Sequence, residues 1–360
     1  MKESYFLGSS GKNGFFSLFN QLTPKIDGQY TYIIKGGPGT GKSSMMKRIA
    51  DEMEKRDINC ERIYCSSDPN SLDGIIFPSL RVSICDGTSP HMIDPDYPGA
   101  TGEIVNLGDC WDKEKLLDNK EKIIKLTDEN KACHKRSRRF IDSAFSVFGD
   151  GERICRECLD KRRLERYATR LANRYFKKPS GKIGLEKTRL LDAITPEGYF
   201  FFSSTVNGLC DFKIVFDDDF GVASSKLIKE LRTYALASGY SVISSPNVNG
   251  EGLRHIIIKE LSLGFFTRDR LCRLDFIPTR SVQLKRFYDS EKMHDYKARL
   301  NFSKKASKEL LDEAVSALIS AKTVHDELEA VYIEAMDFEK SEKIADELIE
   351  RIWKSEWWNE

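Results

Sequence analysis

The chain has 360 residues, of which 40% are hydrophobic and 31% charged, with a formal net charge of +1. That length suggests about two domains with ample cores, and the balanced charge gives the chain as a whole no pull toward polyanions. Nine cysteines are scattered along it. No basic-then-apolar leader opens "MKESYFLGSSGKNG", and no apolar run approaches the ~18 residues that span a bilayer. The expectation is reduced thiols, a cytoplasmic location and no membrane.

In chain order, residues 30–35 alternate aromatic and β-branched side chains as a strand does. Gly36-Gly37-Pro38-Gly39-Thr40-Gly41-Lys42-Ser43 follows and fills every position of G-x-x-x-x-G-K-[ST]. Met45, Met46, Ile49, Ala50 and Met53 then recur at helical spacing. Glycines let such a loop turn tightly and aim backbone N–H groups at an anion, at the positive end of a helix. Lys42 is expected to reach the terminal phosphates of a nucleotide and the Ser43 hydroxyl to ligate Mg²⁺, with Ser44 next in the same turn.

Two later strands are expected to end in carboxylates, where ligands bind in open α/β sheets. Val82, Ile84 and Cys85 lead to Asp86, the candidate for holding the metal. "CERIYCSSDPNSLDG" ends near Asp68, which either orients a nucleophile or forms the turn in Ser-Asp-Pro-Asn. His91, in "DGTSPH", is a further candidate for approaching the phosphates.

The second half repeats the first. At an offset of about 181, Ile33 meets Ile214, Ser43 and Ser44 meet Ser224 and Ser225, Leu72 meets Leu253, and Ile75, Ile76 and Leu80 meet Ile256, Ile257 and Leu261. Upstream, Leu7, Gly14 and Phe16 meet Leu191, Gly198 and Phe200. The shared order reads strand, loop, helix, strand, short helix, strand. Under this offset Lys42 becomes Ala223, Gly41 becomes Val222, Gly36 and Gly37 become Asp217 and Asp218, Asp86 becomes Thr267, and Asp68 falls near Asn249. "FDDDFGVASSKL" therefore reads as a loop that lost its nucleotide, its aspartates repelling phosphate. A new metal site at Asp217–Asp219 is the rival reading, weakened because consecutive residues alternate direction.

Each half also carries a long helical appendage, from about Trp111 to Phe176 and from about Asp289 to Trp353, with a hairpin break expected at "FGDGER" (148–153). Residues 131–178 hold 15 Lys/Arg against 6 Asp/Glu, whereas residues 306–360 hold 6 against 15. Solvated faces account for most of such charge. The arms could also face each other, or the basic arm could act as a lid, with one of Arg136, Arg138 or Arg139 reaching a γ-phosphate. Cys155 and Cys158 lack the second pair that a tetrahedral metal set needs and read as two thiols on a helix.

"GGPGTGKSSMMKRIA", "YCSSDPNSLDGIIFPSLRVSICDGTSPH" and "DPDYPGATGEIVNLGDCWD" resemble an uncharacterised bacterial family of tandem P-loop proteins whose members are labelled as ATPases or nucleotide kinases. The resemblance is specific over residues 30–112 and looser beyond. It implies nucleotide binding and supplies no substrate; the family pattern often has a usable loop in each half, from which this chain departs at 217–223. The expectation is an α/β P-loop NTPase of two tandem modules, 1–180 active with a basic hairpin (about 111–178) and 181–360 degenerate with an acidic hairpin (about 289–353). It binds ATP and Mg²⁺ in the first module alone and hydrolyses ATP, using Gly36–Ser44, Lys42, Asp86 and Asp68. A nucleotide or small-molecule kinase, and a nucleotide-dependent nucleic-acid or protein binding module, are the alternatives.

Overall fold

The computed structural model describes residues 3–12, 14–22, 29–89, 92–178, 181–248 and 252–354. His91 and Asn249 lie outside these residues. Along the chain run β1 (Glu3–Phe6), β2 (Gly8–Gly11), β3 (Gly14–Ser17), β4 (Tyr30–Lys35), α1 (Lys42–Lys55), β5 (Glu61–Tyr64), β6 (Leu72–Phe77), β7 (Val82–Asp86) and β8 (Gly102–Asn106). The first appendage is α2 (Lys113–Asp118), α3 (Lys120–Cys158) and α4 (Lys161–Tyr175). Then follow β9 (Glu186–Thr188), β10 (Asp192–Thr195), β11 (Gly198–Phe201), α5 (Ser203–Leu209), β12 (Phe212–Asp217), α6 (Val222–Ala237), β13 (Val242–Pro246), β14 (Leu253–Ile258), β15 (Leu263–Arg268) and β16 (Arg280–Gln283). The chain closes with α7 (Ser290–Asp295), α8 (Lys297–Ile333) and α9 (Phe338–Trp353). None of its described helices is long and apolar enough to cross a membrane.

The two six-stranded sheets have one topology. The first is ordered β1-β5-β6-β7-β4-β8 and the second, read from the same end, β9-β13-β14-β15-β12-β16. In each, the third strand is antiparallel to its neighbours while the strand before the glycine-rich loop is parallel to both of its own. The hairpins β2–β3 and β10–β11 repeat too. The duplication expected from the sequence is therefore present in the fold. One element differs: Leu72–Phe77 and Leu253–Ile258 are central strands rather than short helices. A strand covered on both faces carries a continuous apolar run, so "LDGIIF" shows no period-two alternation to identify it.

The chain folds into two compact units, and their limits depart from a split at residue 180. The first unit takes residues up to Gly8, Ser17–Arg136 and Ser316 onward; the second takes Ser9–Phe16 and Ser137–Val315. Each appendage thus ends in the unit of the other half. Helix α4 buries Leu164, Tyr167, Ala168, Leu171 and Ala172 with Leu227, Ile228 and Leu231 of α6 in the second unit's core. Helix α9 buries Ala345, Leu348, Ile349 and Ile352 with Met46, Ile49 and Met53 of α1 in the first. Residue spacing shows which face of an appendage is apolar but not which sheet receives it.

The hairpin breaks also differ from expectation. Helix α3 runs through Gly149 and Gly151 and stops at Leu159–Asp160, where the Asp160 carboxylate caps α4 by accepting the Arg163 N–H. Gly151 serves close approach rather than a turn: a Cβ there would sit 2.0 Å from the Phe220 ring. Cys155 and Cys158 are buried thiols in the same cluster.

Candidate functional site

Strand β4 ends at Lys35 and the glycine-rich loop carries the chain to α1, whose N-cap Gly41 is left-handed at φ 80°. Gly39 is left-handed as well, at φ 67°. Thr40 is buried and its hydroxyl donates to the Gly37 carbonyl at 2.9 Å, closing the loop on itself. Lys42 Nζ lies inside, donating to the carbonyls of Gly36 at 3.1 Å and Gly37 at 2.7 Å. Asp86, at the end of β7, sits 3.6 Å from that ammonium through Oδ2. Its Oδ1 accepts from the Thr88 N–H at 2.8 Å and the Thr88 hydroxyl at 2.6 Å. Ser43 Oγ accepts from the Leu72 N–H at 2.9 Å. Lys42, at the head of α1, and Asp86, at the end of β7 beside β4, both singled out from the sequence, are therefore brought together, with Ser43 next to Lys42 on the helix.

Asp68 lies four residues past β5 rather than at its end. One oxygen accepts the Asn70 N–H at 3.1 Å, the turn role, and the other pairs with Lys322 of α8 at 3.5 Å.

Helix α8 is the partner that reading the loop alone misses. Gly39 N–H donates to the Glu329 carboxylate at 3.3 Å, and His325 Nε2, one turn back, lies 3.4 Å from the same oxygen. The His325 hydrogen bond, opposed by partial burial, holds the Glu329 carboxyl below the usual range. A Cβ on Gly39 would stand 2.5 Å from the Glu329 carbonyl, and one on Gly37 2.9 Å from the Tyr332 ring. Only glycine admits so close an approach of the helix. Lys322, His325, Glu329 and Tyr332 are spaced i, i+3, i+7 and i+10, one face of α8. That spacing was readable as a charged stripe, although nothing in it names the loop as its target.

The second loop is built differently. Gly221 caps α6 in the left-handed region at φ 71°, as Gly41 caps α1. The structural counterpart of Gly41 is therefore Gly221, not Val222, and Val222 replaces Lys42. Three residues, 218–220, separate the end of β12 from this glycine, whereas five, 36–40, separate β4 from Gly41. A fixed offset cannot follow a two-residue deletion, so the sequence alignment slips by one at the helix.

The aspartates in this short loop are all engaged. Asp218 is buried; its Oδ2 accepts the Ser224 N–H at 2.9 Å and its Oδ1 the Tyr288 hydroxyl at 2.9 Å. Burial raises its carboxyl above the ordinary value, against the pull of these hydrogen bonds. Asp217 pairs with Arg268 at 2.6 Å and accepts from Gln283 at 2.7 Å. Asp219 pairs with Arg270 and Lys304. Among the described residues, no group of three or more His, Cys, Asp or Glu side chains could hold a metal ion. Above the loop, Phe220 packs at 4.9 Å on Phe148 of α3, in a cluster with Ile154, Cys155 and Leu300. The head of α6 is thus occupied by the chain's own Asp218 carboxyl group and the Phe220 ring.

The basic-arm arginines fall elsewhere. Arg136 closes the first unit's share of α3, and Arg138 and Arg139 belong to the second unit. The side chains over the first loop come from the acidic arm. Comparison of the chain with protein-family models, curated proteins and solved structures gives no match in any of the three, so its functional reading rests on its own residues.

Proposed function

We propose that the loop Gly36–Ser43 binds ATP with Mg²⁺ and hydrolyses it, and that the second loop binds no nucleotide. The observation that carries this reading is the enclosed Lys42 ammonium at the head of α1, 3.6 Å from Asp86. On this reading the backbone N–H groups of Gly36–Thr40 cradle the phosphates, with Ser44 beside them at the head of the helix. Lys42 exchanges its carbonyl contacts for phosphate oxygens, a charge-assisted gain. Ser43 and Asp86 would hold the metal: both offer oxygen, which suits a hard cation, and Mg²⁺ takes its other ligands from phosphate and water. The metal supplies charge neutralisation on the phosphate oxygens.

Glu329 gives the site its coupling to the appendage. Its carboxylate takes the Gly39 N–H that a phosphate oxygen would take, so triphosphate binding displaces it and shifts α8. The protein is on this reading an ATPase whose helical arm answers to nucleotide. Free cysteines throughout the described chain fit a reducing cytoplasm. Incubation of the purified protein with γ-labelled ATP tests the reaction. Release of labelled phosphate in water is the expected result; label appearing only when an acceptor is added would make the protein a kinase instead.

A further inference from the structure

Helix α4 turns its apolar face onto α6, and its other face is a row of cations. Lys161, Arg162, Arg163, Arg166, Arg170 and Arg174 are all exposed, and the one carboxylate among them, Glu165, pairs with Lys226 at 2.6 Å. Among the described residues none of these six cations has a carboxylate partner. On α8, by contrast, Lys305, Lys308 and Lys322 each face an acid at i+4. Arg162, Arg166, Arg170 and Arg174 instead repeat like charge at i+4, an arrangement that destabilises a helix.

Aromatic rings hold several of these guanidinium groups in place. Arg170 lies 5.8 Å from the Tyr167 ring, Arg163 5.8 Å from Phe287 and Arg174 5.5 Å from Tyr175. Arg286, from the turn after β16, stacks at 4.9 Å on both Tyr167 and Phe287 and so extends the row. The result is a line of six exposed arginines, four of them set against rings and, among the described residues, none paired with a carboxylate.

We propose that this face of α4, with Arg286, docks the phosphodiester backbone of a nucleic acid. Guanidinium forks match phosphate oxygens bidentately. Four residues of helix rise about 6 Å, comparable to the spacing of successive phosphates along a strand. Tyr167 and Phe287 are buried, so no ring is offered to an unstacked base, and the contact is to a duplex backbone without sequence preference. A membrane surface fits less well, because interfacial helices need a free apolar face and α4 has buried its own.

The full-length protein is titrated against fluorescein-labelled duplexes of about 20 bp, DNA and RNA in separate arms, by anisotropy across a salt series. Binding is expected with a log–log salt slope of about −4 to −5, the value for four to six neutralised phosphates. The variant R162Q/R166Q/R170Q/R174Q should lose about 3–4 units of that slope and weaken binding about a hundred-fold at ~100 mM salt. K113Q/K120Q/K122Q/K125Q, an equal charge change on α2 and α3, should leave both unchanged. The substituted side chains are all exposed; should the quadruple variant nevertheless fail to fold, R170Q alone is expected to reduce the slope by about one. Failure to bind either duplex, equal losses in the two quadruple variants, or binding to phosphatidylserine vesicles without duplex binding would each overturn the proposal. The assay contains no nucleotide, so its failure leaves the reading of the first loop standing.

Discussion

The two glycine-capped loops start from one plan and are filled by groups of opposite chemistry, an ammonium in one and a carboxyl in the other. Both follow a strand parallel to its neighbours and both enter a helix through a left-handed glycine, Gly41 or Gly221. The first encloses a cation, Lys42, whose present partners are two carbonyls and Asp86. The second is two residues shorter and encloses a carboxyl group, Asp218, hydrogen-bonded to Ser224 and Tyr288. A helix N-terminus favours negative charge from any source. In the first loop a carboxylate reaches the Gly39 N–H from outside, from Glu329 of α8; in the second the carboxyl group is part of the loop. The lesson is that two loops of one topology can be filled differently, one by a lysine ammonium and the other by a buried carboxyl group of its own.

The comparison breaks most readily at Lys42. Lys42→Ala should weaken binding of an ATP analogue by about 10–100-fold, the ~1.5–3 kcal/mol of a charged hydrogen bond. Calorimetry on the unaltered chain should give about one nucleotide per chain, and Val222→Lys should not raise it, since the shortened loop and Asp218 still fill the helix end. Two comparable sites, or unchanged affinity in Lys42→Ala, would dissolve the contrast.

Asp218 tests the other side. Asp218→Ala leaves the Ser224 N–H and the Tyr288 hydroxyl without their acceptor and should cost about 2–3 kcal/mol in denaturant unfolding while sparing nucleotide binding. The pH dependence has a definite sign. Burial raises the folded-state carboxyl of Asp218 above its unfolded value of 3.8. The associated stability is full below the unfolded value and declines as pH rises through the folded one. Asp218→Asn should abolish that declining component. A variant with the same pH profile as the parent would show that Asp218 does not titrate in this way.

Glu329 sharpens the contrast from within the first loop, since it is the nearest thing there to Asp218. Glu329→Gln keeps the shape and removes the charge that competes for the Gly39 N–H, so triphosphate affinity should rise about 3–10-fold, or ~1 kcal/mol. The carboxyl is held below the usual range, so the effect should persist over about pH 5–8. A fall in turnover with unchanged affinity would instead mark Glu329 as a group acting on the attacking water.

The sequence was readable where consecutive residues form one local pattern. Gly36–Ser43 and the strand ending in Asp86 form a local pattern, and the backbone places them as that pattern implies. The repeat was readable because strand cores keep their apolar identities. Three things were hidden. The deletion before Gly221 defeated a constant offset. The turn at Leu159–Asp160 was missed because Gly149 and Gly151 imitate a break, while the helix uses Gly151 to admit Phe220. The exchange of appendages was missed because the apolar faces of α4 and α9 would suit either sheet, and only three-dimensional packing decides between them. For the same reason the sequence did not point to α8 as the helix that reaches Gly39.

The lid reading of the basic arm, the alternative to a solvated face, yields the smallest expected effect. Basic residues on the appendage that follows the first sheet looked like a lid, with Arg136, Arg138 or Arg139 reaching a γ-phosphate. The helix that meets the loop is α8, and α3 meets α8 through Leu126, which packs with Leu328 and Val331 beside Glu329. From Leu126 to Arg136 is ten residues of continuous helix, about 15 Å of rise. An extended arginine side chain does not cover that distance, and an unbroken helix offers no hinge to shorten it. Arg138 and Arg139 are farther along and are assigned to the other unit. Single Ala substitutions at these three positions should therefore leave kcat and KM for ATP unchanged and alter unfolding stability by less than ~1 kcal/mol, as for exposed charges generally. A sharp fall in kcat at any one of them, with nucleotide affinity intact, would mean that α3 bends or slides during turnover and would restore the basic arm as the lid.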